Sequence, residues 1–187
     1  MHTGITLDLG FSAFTLPLPK LSEHSQEQFA QITLVDCPGH ASLIKTIIGG
    51  AHIIDMALLV IDAIKGVQMQ TIESTVLAEI ATSHVLVVLN KIDLFPFETR
   101  TDMIEKISNK IRRFLSTSPT LKDVPIIPVA SGDADGTRQN VGMQDLVQAI
   151  SQYVYLPKRS IDGPFCYAID HCFQLRGKGT VLTGTGM

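Results

Sequence analysis

The run ITLVDCPGHASLIKT, residues 32–46, begins as a strand and ends as something else. Residues 32–35 are apolar and partly β-branched, the composition of a short buried strand. Asp36, Cys37, Pro38, Gly39 and His40 follow, polar or turn-forming residues at the strand's carboxyl end. From Gly39 the chain runs on to Ile44, Lys45 and Thr46, close to the G-x-x-x-x-G-K-[ST] pattern of a phosphate-binding loop. Ile44 stands where that loop needs a glycine, and Leu43, Ile44, Ile47 and Ile48 form an apolar helical face. Lys45 therefore belongs to a helix, and the chemistry lies in residues 36–40.

Three more apolar runs resemble the first: MALLVI (56–61), VLVVL (85–89) and VPIIPV (124–129). The first three of the four lack polar alternation, which suits strands covered on both faces. Helical patterns lie between them. Ile72, Val76 and Ile80 recur every four residues, and Ile104, Ile107, Ile111 and Leu115 form an amphipathic stripe. Thr99 and Asp102 fit a capping box ahead of it. Met143, Leu146, Val147, Ile150 and Val154 make a third stripe. Alternating strands and helices predict a mostly parallel α/β sheet. Residues 5–16 predict a longer strand, closed by Pro17 and Pro19, that pairs with ITLV as an antiparallel hairpin on the sheet edge.

The composition changes near LPKRSIDGP (156–164), which reads as a linker. FCYAIDHCFQL and RGKGTVLTGTGM then predict strand, turn and strand. The expected units are residues 1–156, a linker at 157–164, and a β unit from 165 to 187.

Bulk composition excludes several classes. Hydrophobic residues make up 45% of the 187, enough for a core, and charged residues 18%, below the usual quarter. The net charge of −3 provides no global attraction to nucleic acid. The cysteines Cys37, Cys166 and Cys172 lack zinc spacing and read as reduced thiols, as in a cytoplasmic protein. No stretch has the apolar length of a membrane span. Lys106, Lys110, Arg112 and Arg113 read as a solvated helix face rather than an RNA contact. His24, His52, His84 and His171 show no ligand spacing, and Gly49-Gly50 reads as the turn that ends a helix.

In open α/β sheets ligands bind beyond the carboxyl ends of the strands. Those ends carry Asp36 to His40, then Asn90, Lys91, Ile92 and Asp93, then Ala130, Ser131 and Gly132. A carboxylate such as Asp36 suits a magnesium ion held through water. Gly39 lacks a Cβ, so its N–H suits close approach to a phosphate, and His40 then suits orienting a water. Asp93 offers two acceptor oxygens, matched to the N1–H and exocyclic amine of guanine. The alkyl stem of Lys91 suits a flat ring.

DCPGH (36–40) and NKID (90–93), in this order, resemble the GTPase domain of translational elongation factors. GITLDLGF (4–11) and HASLIKTIIGGA (40–51) resemble most the selenocysteine-specific elongation factors of eukaryotes. RGKGTVLTGT (176–185) resembles the opening of the β-barrel second domain in the same family. The resemblance implies a P-loop-type GTPase domain of α/β class, with GTP or GDP and Mg2+ as cofactors, followed by the start of a β-barrel. It implies that Thr6 and Asp36 serve magnesium, that Gly39 senses the γ-phosphate, and that His40 positions the hydrolytic water. Asn90, Lys91 and Asp93 match the guanine motif; Ala130 and Ser131 stand in the place of a base-supporting Ser-Ala pair, with Gly132 where lysine is common. The implied activity is GTP hydrolysis during delivery of selenocysteyl-tRNA to the ribosome for UGA recoding. The implied partners are that tRNA, the ribosome and a messenger-signal-binding protein.

The family's P-loop, with its strand and helix, should precede Gly4, where only Met1, His2 and Thr3 stand. Without that strand, the chain by itself is expected to be marginally stable and prone to aggregate. Two alternatives stay open at this level: a non-catalytic fragment that binds GTP poorly, and another tRNA-carrying GTPase of the initiation factor two gamma or elongation factor Tu type.

Overall fold

The computed structural model describes residues 10–17, 29–36, 54–132, 140–155 and 163–186. Seven strands and three helices follow in chain order among them: β1 (Gly10–Pro17), β2 (Phe29–Asp36), β3 (Ala57–Asp62), α1 (Met69–Ala81), β4 (Val85–Asn90), α2 (Arg100–Leu115), β5 (Ile126–Pro128), α3 (Met143–Tyr153), β6 (Tyr167–Leu175) and β7 (Gly179–Gly186). Thr6, Cys37, Gly39, His40, Lys45, Gly49, Gly50, His24, His52 and most of the expected linker lie outside the described residues.

The centre is a parallel three-stranded sheet ordered β3-β4-β5. In β4, residues 85–89 are all buried, because both faces are covered. Val85, Val87 and Leu89 point to one side, where they pack with Leu59, Ile61, Ile111, Leu115 and Leu121. Leu86 and Val88 point to the other and meet Leu16, Val129, Leu146, Ala149 and Ile150. The run without polar alternation thus becomes a strand sandwiched between α2 and α3, with hydrophobic burial on both faces as its main stabilisation.

Two expectations about strands need correction. The β1–β2 hairpin forms as an antiparallel pair, Phe14 opposite Ile32. Among the described residues it is a sheet of its own, not the edge of the parallel sheet. It joins the core through side chains: Leu16 is buried, and Phe14 and Ile32 pack against the α3 side. As a result β2 is not covered on both faces; Leu34 and Val35 are exposed.

The helices also divide. In α2 the stripe is buried as expected, with Ile111 and Leu115 in the core and Ile104 and Ile107 against it. In α1 the periodic residues Ile72, Val76 and Ile80 face outward, and the buried contact is made by Thr75 and by Ala78. The Thr75 hydroxyl is satisfied by donating to the Thr71 carbonyl at 2.6 Å. The Thr99–Asp102 capping box does not form. Thr99 ends a short 3-10 turn (Phe97–Thr99) that runs directly into α2, so its hydroxyl makes no cap bond. Thr99 has φ −113° and ψ 1°, away from the extended backbone in which an N-cap side chain turns back onto the first turn of a helix.

β6 and β7 pair as the expected hairpin, turning through Arg176, Gly177 and Lys178. Gly177 and Gly179 both have positive φ, which suits glycine in so tight a turn.

Candidate functional site

The carboxyl ends of β4 and β5 carry the site. Asn90 ends β4, and Lys91 follows in the left-handed region with φ 68°, the one non-glycine with positive φ among the described residues. That conformation costs about 1–2 kcal/mol and needs local support. The Asn90 side-chain oxygen supplies it by accepting the Lys91 N–H at 2.8 Å. The Ile92 N–H donates to the Val129 carbonyl at 3.3 Å, which hooks the turn to the strand beside it. Ile92 and Phe95 are buried beneath, so the turn is pinned from below while Lys91 stays exposed and Asp93 half-buried above.

Arg100, the first residue of α2, closes this turn from outside. Its guanidinium donates to the carbonyls of Asp93 and Phe95, both at 3.2 Å, and lies 5.8 Å from the Phe97 ring centroid. Two main-chain acceptors on one rigid fork fix the path of the chain around Asp93.

On β5 the chain continues to Ala130, fully buried, and Ser131, exposed. Ala130 exchanges both backbone hydrogen bonds with Val141, at 2.9 and 3.0 Å. Gly142 comes next, with φ 70°, and a Cβ there would meet the Pro128 carbonyl oxygen at 2.1 Å. Only glycine allows this approach, which locks the start of α3 to the end of β5. Gly132 also has positive φ, 66°.

β3 adds a residue that the sequence did not single out. Asp62 stands opposite Asn90 in the parallel register. Its Oδ1 accepts the N–H groups of Ile64 and Lys65 at 2.9 and 3.1 Å, and its Oδ2 accepts the Lys91 ammonium at 2.8 Å. The hydrogen bond from Lys91 holds the Asp62 carboxyl below the usual carboxylate range, outweighing the opposite pull of its partial burial.

The structure therefore brings together Asn90, Lys91, Asp93, Ala130 and Ser131 along one sheet edge and adds Asp62 and Arg100. Asp36 ends β2, exposed and opposite Gly10, in the separate hairpin. A signal for Asp62 was present, since it follows MALLVI as Asn90 follows VLVVL, and neighbouring parallel strands place such residues side by side. Arg100 carried none, because its contacts depend on how α2 starts. Lys106, Lys110, Arg112 and Arg113 are all exposed on α2. His84 stacks on Tyr155 with ring centroids 4.2 Å apart. The described residues contain no group of three or more potential metal-ligating His, Cys, Asp or Glu side chains. No described helix is long and apolar enough to cross a membrane.

Residues 1–156 match the elongation factor Tu GTP-binding domain. The chain is 47% identical over 186 residues to the selenocysteine-specific elongation factor of Mus musculus, covering 97% of this chain and 32% of the relative. It is 36% identical over 183 residues to that of Methanocaldococcus jannaschii, covering 97% of this chain and 35% of the relative. The chain thus spans about a third of the length of the curated relatives it matches. Its fold is similar to translation elongation factor SelB from Methanococcus maripaludis in complex with the GTP analogue GppNHp. The TM-score there is 0.72 at 33% identity, over 97% of this chain and 36% of that one. The apo form of the same factor gives a TM-score of 0.71 over 98% of this chain and 36% of that one. With the match running through residues 1–156 and the parallel sheet in place, this chain belongs to the elongation factor Tu GTP-binding domain family.

Proposed function

We propose that the protein is a GTP-hydrolysing translation elongation factor that delivers selenocysteyl-tRNA to the ribosome for UGA recoding. The observation that carries this reading is the preformed turn at Asn90, Lys91 and Asp93, braced by Arg100 and by β5. It sits in a chain 47% identical to the selenocysteine-specific elongation factor of Mus musculus. The donor set fits guanine: Asp93 is an acceptor for the N1–H and amine edge, and the exposed Lys91 stem is a surface for the ring. The backbone at Ala130 and Ser131 supports the base from the other side.

Asp36 and Thr6 are assigned to Mg2+, Gly39 to the γ-phosphate and His40 to the attacking water. Bound magnesium would neutralise charge on the phosphates. The protein's part is to hold the base edge at Asp93 and to orient water at His40. In the same reading residues 1–156 are part of the GTP-binding domain, 157–164 the linker and 165–187 the start of a β-barrel. The tRNA, the ribosome and a messenger-signal-binding protein are the partners, in the cytoplasm.

Asp93→Asn in the intact protein tests the base assignment, because an amide donates to the base edge where the carboxylate accepts from it. The expected result is loss of GDP binding with gain of xanthosine diphosphate binding; unchanged GDP affinity would remove Asp93 from the site. Delivery is tested by comparing selenocysteyl-tRNA with seryl-tRNA in GTP-dependent binding, where equal affinity would count against selenocysteine specificity.

A further inference from the structure

We infer that Asp62 is a positioning residue for Lys91: its carboxylate tethers the ammonium so that the alkyl stem lies across the purine position at the end of β4. The inference rests on the guanine-site reading of residues 90–93.

Three observations carry it. The parallel register sets Asp62 opposite Asn90, so the carboxylate starts one residue from the base of the Lys91 side chain. The carboxylate is oriented, because Oδ1 is occupied by the N–H groups of Ile64 and Lys65 and only Oδ2 faces Lys91. The Lys91 backbone is fixed too, in a left-handed conformation supported by Asn90. Both ends of the side chain are therefore held, at the Cα by the turn and at Nζ by Asp62.

A free lysine stem has several rotatable bonds and loses considerable rotamer freedom when a ring packs on it. Tethering the ammonium meets that cost before the ligand arrives, which is preorganisation. The exposures fit this role. The Asp62 side chain is 21% exposed, whereas Lys91 remains 52% exposed, so the anchor is sheltered and the stem open. A turn former alone would need only Oδ1; the contact from Oδ2 reaches 29 residues along the chain and serves nothing in the turn.

The test uses Asp62→Asn in the intact protein, which keeps an Oδ1 acceptor for the turn and removes the charge. The fluorescent GDP analogue mant-GDP should dissociate about two- to fivefold faster, the upper part of the range for a partly exposed charge pair. The preference for guanine over xanthine nucleotides should not change, since Asp93 is untouched. In a Lys91→Met background the same substitution should alter dissociation less than about twofold, because the partner is already gone.

An unchanged rate in Asp62→Asn would overturn the inference. So would a slower rate, which would mean that Asp62 withholds Lys91 from the nucleotide. Equal acceleration with and without Lys91 would assign Asp62 to the turn alone. Failure of the guanine reading itself shows separately, as an Asp93→Asn variant that does not shift toward xanthosine diphosphate.

Discussion

The helices α2 and α1 carry similar apolar periods and meet different fates. α2 places Ile111 at 0% exposure against the sheet, whereas α1 leaves Ile80 at 63%. Both segments are helical, so the period identified the element correctly each time. It did not identify the partner. α2 lies over the broad face made by Leu59, Ile61, Val87 and Leu89, and branched side chains fill that space. α1 turns small residues, Thr75 and Ala78, toward the sheet and leaves the large ones outside. Its far end is tied by a side-chain contact instead, the Ser118 hydroxyl donating to Glu79.

This contrast can be broken by mutation of the intact protein. The largest effect is expected for Ile111→Ala, which leaves a cavity under β4 and should cost about 3 kcal/mol in urea unfolding. A cost below about 1 kcal/mol would mean that α2 is not the main cover of the sheet. Next comes Arg100→Met, which keeps the stem of the first α2 residue and removes the donors to Asp93 and Phe95. About 1.5 kcal/mol of stability should be lost. GDP should also dissociate faster, because α2 would no longer brace the turn. Unchanged nucleotide kinetics would confine Arg100 to a structural part.

The smallest effect belongs to α1. Ile80→Ser should change stability by no more than about 0.5 kcal/mol, as at other exposed positions. A loss approaching that of Ile111→Ala would show that another surface covers the α1 stripe in the intact protein, and the two helices would then be alike.

The same limit explains what was legible elsewhere. VLVVL announced a buried strand because an uninterrupted apolar run satisfies both covered faces, and β4 is such a strand. ITLV carried an equally apolar signal, yet β2 pairs only with β1 among the described residues and exposes Leu34 and Val35. Local composition reports what a strand tolerates, not which neighbours arrive. At the site, Asn90, Lys91 and Asp93 stood out because four consecutive residues carry the motif. Asp62 and Arg100 did not: Asp62 meets Lys91 only when β3 and β4 pair, and the Arg100 contacts, five and seven residues back, depend on how α2 starts.

By itself, the sequence determined the alternation of strands and helices, the hairpin at each end, and the positions where polar residues follow apolar strands. These are local properties, written in spacing and turn chemistry. Tertiary structure alone decided which faces were buried, the left-handed turn at Lys91 held from Asn90 and Val129, and the approach of Gly142 to Pro128. It also decided that the Lys91 ammonium meets Asp62. The reason is physical: burial and charge pairing depend on distances between segments, and a one-dimensional pattern fixes those only after the chain has packed.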